Sequence, residues 1–244
     1  MLRIILIFIS FFFLTNSYAQ ESLRFNNPFN SPEAEFMESI WKEVAKRNNI
    51  NFIIQKMPNK RSLINVNSGI DDADAGRILN ISKYYPNLVA VAESIYTLEI
   101  VALTNKAGLS IKKLEDLKPY HVGIIRGMKI AKLKMLDVNP KSIIEATDYK
   151  GLLNLLNKGR IDVAFVDKMG ILKETLKSKT EDYYYLHMPP LISVKLYMQL
   201  NKKFKKYVVP FEQTLRSIKN DGVYQKYFDK YINIDVSLKV KSVK

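Results

Sequence analysis

The feature that most restricts the fold is a regular alternation, running from residue 22 to residue 167, of two kinds of segment. Short runs rich in β-branched and aromatic residues, at 22–25, 50–54, 88–91, 98–103, 121–125, 143–146 and 161–166, have the length and composition of strands. Between most of them, apolar residues recur every three or four positions, the spacing that gives a helix one buried face. Ser31 stands as N-cap before Pro32, and Phe36, Ile40, Trp41 and Val44 mark a helix to about Arg47, with Trp41 on its core face. A turn at 58–61 leads to a short helix ending near Asn67. Ser110 caps a short helix with Leu114 and Leu117, stopped by Pro119; another runs from Gly127 to about Leu136. Asp148 caps one carrying Leu152, Leu153, Leu155 and Leu156. Strands alternating with helices predict an α/β architecture of mostly parallel sheets flanked by helices.

The alternation breaks in two places. The apolar run 98–103 opens into a polar, glycine-containing stretch at 104–108, and a strand-like run at 194–200 precedes two purely helical patterns at 204–219 and 221–231. These two runs are expected to cross between two lobes of about 100 residues each, a size that holds one core apiece. Lobe 1 is then 20–104 plus 197–233, and lobe 2 is 105–196. The basic segment 234–244 reads as a loosely held tail, and Tyr183 and Tyr185 as alternating strand surface.

Arg3, an apolar run at 4–14 and the small residues Ser17 and Ala19 form a cleavable export signal over 1–19, too short to anchor in a bilayer. The chain has no cysteine, which excludes disulfides, thiolate chemistry and Cys-ligated metals, and leaves stability to packing. An exported, untethered protein is expected in the periplasm. The formal charge of +14 comes from lysines scattered along the chain and matches no nucleic-acid-binding motif, so no nucleic-acid partner is expected.

Six segments occur in the order found in one family: NKRSLINVNSG at 59–69, DADAGRI at 72–78, YPNLVAVAESI at 85–95, KLEDLKPYHVGIIRGMK at 113–129, LLNKGRIDVAFVD at 155–167, and LYMQLNKKF with IKNDGVYQKYF near the end. On these the sequence resembles the family 3 extracellular solute-binding proteins. The resemblance implies a type II periplasmic binding fold of two α/β lobes joined by two crossing strands. It also implies capture of a small polar solute by hinge closure, in a monomer serving an ABC permease or a membrane sensor without a cofactor.

Ligands of open parallel sheets sit beyond the carboxyl ends of the strands. Asp167 ends a strand there and would accept hydrogen bonds from an ammonium group, as the matching aspartate of the family does; as a pure residue reading it serves equally well as a helix N-cap. Gly127 and Arg126, after the strand 121–125, would offer backbone N–H groups and a guanidinium to a carboxylate. The resemblance places Arg77 as a bidentate carboxylate clamp, with pairing to one of Asp71, Asp72 or Asp74 as its structural alternative. It also implicates Arg61, while Phe29 and Tyr96 would provide aromatic walls. Two departures from the family point away from a plain α-amino acid. Met128 and Lys129 follow Gly127 where a small hydroxyl residue is usual, and Ala73, Ala75 and Gly76 stand where a Ser/Thr-rich stretch is usual. With His121 and His187 the only histidines, and no nucleophile elbow, P-loop or HExxH, the chain is expected to bind and not to catalyse. The competing readings are a dehydratase-like enzyme using Glu93 or Asp72, and a cationic interaction module.

Overall fold

The computed structural model describes residues 21–27, 31–178, 183–237 and 239–243. The export signal expected at 1–19 and the aromatic wall expected at Phe29 lie outside the described residues.

β1 (Ser22–Asn26) is followed by α1 (Pro32–Arg47), β2 (Asn51–Gln55), α2 (Asn59–Ser68), β3 (Ala73–Arg77) and β4 (Leu88–Ala90). β5 (Tyr96–Thr104), β6 (His121–Ile125), α3 (Lys129–Val138), β7 (Ser142–Ala146), α4 (Tyr149–Asn157), β8 (Val163–Asp167) and α5 (Lys168–Thr175) come next. The chain then forms β9 (Tyr184–Asn201), α6 (Val208–Asn220), α7 (Val223–Tyr231) and β10 (Val240–Val243).

The main strand order is β2-β1-β3-β9-β5-β8-β6-β7. β2, β1 and β3 are mutually parallel, as are β8, β6 and β7, while β9 and β5 join the two sets by antiparallel pairing. β8, in the middle of the second set, is buried along its whole length and reads as a continuous apolar run, whereas β1 and β2 alternate exposed with buried or half-buried positions. Period-two alternation decides where each residue goes. In β5 and β8, Ile100, Ala102, Val163 and Phe165 point into a core shared with α3, and Val101, Leu103, Ala164 and Val166 into one shared with α4 and α5. A separate core gathers β1, α1, α6 and α7, with Phe25, Phe36, Trp41, Phe211 and Leu215 fully buried. Trp41 donates its Nε1–H to the Ala75 carbonyl at 2.9 Å.

The chain passes from the first core to the others inside two adjacent strands. Leu98 packs with the first core and Ile100 with a second-half core; on β9, Val194 belongs to the first and Ile192 to the second. The β5/β9 register slips there. Ile100 faces Ile192, but Ala102 faces His187, so β9 spends five positions against two of β5. Pro189 and Pro190 lie in this bulge, where the ladder is interrupted and their missing N–H groups cost least. Met169 of α5 reaches across and is buried in the first core, so the two halves touch there.

Several local expectations are corrected. Ser31 occupies the N-cap position of α1 but makes no side-chain cap bond. The short 3-10 turn Leu114–Leu117 is capped from Lys113, whose N–H and that of Lys112 reach Asp116, not from Ser110. α3 begins at Lys129, so Gly127 occupies a left-handed turn (φ 86°) ahead of the helix and does not open it. The end of the chain, expected to be a loose tail, includes β10, which pairs in parallel with Tyr184–His187 of β9 and buries Val240.

Candidate functional site

Two structural halves share one cavity of about 410 Å³, the size range of sites for small solutes. From the side of the first core come Glu33 and Met37 of α1, Asn59 of α2, Tyr96 and Leu98 of β5, and Leu196 of β9. Facing them are Ile125, Arg126, Gly127 and Met128 at the end of β6, Tyr149 of α4 and Asp167 of β8.

Asp167 stands where a parallel strand stops and a helix begins, and both readings of its role apply there. Oδ2 accepts the Gly170 N–H at 2.9 Å, capping α5, while Oδ1 accepts the Tyr149 hydroxyl at 2.7 Å. Burial pushes its carboxyl above the usual aspartate range, against the pull of those two hydrogen bonds. The Tyr149 contact depends on Gly170, because a Cβ there would overlap the tyrosine ring. Tyr149 and Tyr96 are both held far on the phenol side by burial and by the carboxylates near them, so each remains a donor.

Glu33 is the residue that sequence reasoning missed. It lies in the first turn of α1 and is 4% exposed. Its carboxyl hydrogen-bonds with Ser31, the hydroxyl that leaves the cap unmade, but Oε2 is buried without any hydrogen-bond partner. Burial first, and then the negative charge of Asp167, push the Glu33 carboxyl up to about 7. An acid in a first helical turn ordinarily reads as a partner of the helix dipole, so nothing in the local sequence marks this one. Tyr149 and Asn59 were missed for the same reason: only tertiary packing carries them to the cavity.

Of the residues singled out by sequence, Asp167, Arg126, Gly127 and Tyr96 come together around this cavity. Arg77 and Arg61 are not on its wall. Arg77 is held by Asp74 (2.7 Å) and by the Asn59 side-chain oxygen (2.6 Å), so it braces a wall residue. Arg61 is exposed within the first turn of α2. Arg126 has a 65% exposed side chain with Glu145 at 3.9 Å, placing its guanidinium at the mouth. The carboxylates considered for acid–base chemistry are occupied elsewhere: Glu93 pairs with Lys219 and Arg216, and Asp72 accepts the Arg24 N–H at 2.7 Å. Among the described residues no group of three His, Asp or Glu side chains is placed to hold a metal ion. The chemistry on offer is therefore two buried carboxyls, the Tyr96 hydroxyl, the Tyr149 hydroxyl already donating to Asp167, and an apolar lining, an arrangement suited to a positively charged nitrogen on an apolar or aromatic frame.

No family model matches the chain. It is 26% identical over 166 residues to the histidine-binding periplasmic protein of Escherichia coli K12, covering 65% of this chain and 64% of that protein, a little under two thirds of its length. The histidine-binding periplasmic protein of Salmonella typhimurium is 25% identical over 222 residues, covering 86% of this chain and 85% of that one. A solved Bacillus subtilis structure, described as a probable amino-acid ABC transporter extracellular-binding protein, superposes with a TM-score of 0.73 at 16% identity, covering 88% of this chain and 98% of the other. The fold is that of two-lobed periplasmic amino-acid-binding proteins, in agreement with the resemblance to family 3 solute-binding proteins.

Proposed function

We propose that this chain captures an amino-acid-like solute in the periplasm by closing two lobes around it, and presents it to an ABC permease or a membrane sensor. The observation that carries this reading is the cavity itself. It is solute-sized, its walls come from both halves, and Asp167 ends a β8 strand inside it, already oriented by Tyr149. The lobes are those expected at 20–104 plus 197–233 and at 105–196, with β5 and β9 as the crossing strands and the exchange of cores drawn inward to Leu98–Ile100 and Ile192–Val194. Asp167 receives the solute's ammonium group, Tyr96 provides a wall, and Arg126 with the Gly127 turn serves an acidic group at the mouth. Residues 1–19 direct export and are removed, and the mature chain acts as a monomer by binding without turnover.

Relatives named for histidine binding support the amino-acid-like class. Glu93 and Asp72, the carboxylates weighed for an enzyme reading, are engaged away from the cavity.

The test is calorimetry and thermal shift on the mature chain with a panel of amino acids and amines. Asp167→Asn keeps an oxygen to cap α5, since Asn caps helices as well as Asp does. Its folding stability should therefore change little, while affinity for the best solute falls by about 10- to 100-fold, the range for losing a charged hydrogen bond. A panel that produces no stabilisation of the wild-type chain would refute solute capture.

A further inference from the structure

The proposed capture leaves Glu33 unused, although it is the most unusual side chain on the cavity wall. It is 4% exposed, it lines the cavity, and Oε2 has no hydrogen-bond partner. A buried, unpaired carboxylate oxygen is costly unless something positive meets it. The charge that acts on it most strongly is that of Asp167, another carboxylate on the cavity wall, carried by the opposite half of the molecule. Among the described residues, the cation that acts on Glu33 is Lys173 of α5, the weakest influence felt there, and the phenols Tyr96 and Tyr149 are the other ionisable groups that sense it.

With both carboxyls ionised, the closure proposed above brings two like charges together, and a positive group arriving between them favours it. We infer that the solute is an organic cation of the ammonium or guanidinium class, and that Glu33 makes positive charge a condition of lobe closure. The inference rests on the capture reading and narrows it, because Asp167 alone would satisfy the α-ammonium of any amino acid. Glu33 requires charge beyond that group, or an amine without a carboxylate. The wall agrees: Arg77, which would clamp a carboxylate, is committed to Asp74 and Asn59, and Arg126 stands exposed at the mouth.

The test uses pairs of nearly isosteric probes on the mature chain at pH 8: lysine with norleucine, arginine with citrulline, and agmatine to ask whether a carboxylate matters at all. The charged member of a pair should bind about 10- to 100-fold more tightly than its neutral partner, the worth of one buried charge-assisted hydrogen bond. Glu33→Gln should abolish that preference and Glu33→Asp should keep most of it. Equal binding of neutral and charged members to the wild-type chain overturns the inference while leaving solute capture intact. A charge preference that survives Glu33→Gln overturns the assignment to Glu33. Absence of binding by every probe, together with silence across the wider amino-acid panel, removes the capture reading as well. The wild-type comparison stands on its own if a Glu33 variant fails to fold.

Discussion

At Glu33 a single side chain couples folding to pH. Its carboxyl titrates near 7 in the folded protein against an ordinary value of 4.5, so the folded state holds a proton that the unfolded chain releases. The contribution is full below about 4.5 and is lost as pH rises through about 7, amounting to at most about 3 kcal/mol for one such group. Asp167, shifted in the same direction by burial, acts with the same sign. Unliganded stability measured by urea unfolding should therefore fall between pH 5 and 8, with a shallower slope in Glu33→Gln. A wild-type slope that is flat or reversed would contradict the burial assigned to this carboxyl. The same scale shows why part of the site is legible in sequence and part is not. Asp167 is legible because it terminates an apolar strand, and Gly127 with Arg126 because they follow one. Glu33 and Tyr149 sit at helix starts with no local peculiarity, and Arg77, read as a clamp, is neutralised by a neighbour three residues away.

Among the elements, α4 and α5 meet at the ligand side of β8 through Tyr149 and Gly170. Gly170, inside α5, lets the Tyr149 ring lie over the helix and reach Asp167. Gly170→Ala suits a helix interior by propensity, gaining about 1 kcal/mol. It would nevertheless drive the tyrosine off the aspartate, so solute affinity should drop several-fold although the helix itself is improved. Calorimetry on this variant decides the point, and unchanged affinity would mean that the Tyr149 hydroxyl does not prepare the site. Elements with strong periodicity, such as α1, α4 and β8, were readable from their apolar spacing. β3 was not recognised as a strand because Ala73, Ala75 and Gly76 offer little apolar bulk and Asp74 is tied instead to Arg77 and Ser62. β9, 18 residues long, was only half read because its proline pair hides the continuity of the strand. β10 escaped notice because a short basic segment acquires strand character only from the β9 edge it joins.

For the whole molecule, the formal charge of the chain is +14, while the buried acidic groups on the cavity wall are the carboxyls of Glu33 and Asp167. Ligand selection by charge is consequently a property of the enclosed site and not of the outer surface, whose field is screened beyond about 8 Å at physiological ionic strength. Closure around a cation should reduce the radius of gyration in solution scattering when lysine or arginine saturates the site, and norleucine or citrulline should leave it unchanged. Equal dimensions in all samples would argue against a hinge. That the molecule divides in two was foreseeable from the pair of interruptions in the strand–helix alternation; where the division falls was less so, because the cores exchange within β5 and β9 and not at their ends.

The slip between β5 and β9 constrains how such a molecule can move. Two prolines hold their own φ angles within a narrow range and donate nothing to the neighbouring strand, and regular pairing resumes beyond them with Ile100 opposite Ile192, Glu99 opposite Ser193 and Leu98 opposite Val194. In the capture proposed above, closing and reopening both bend these two strands, so the dwell time of a guest should depend on their stiffness as well as on the groups that grip it.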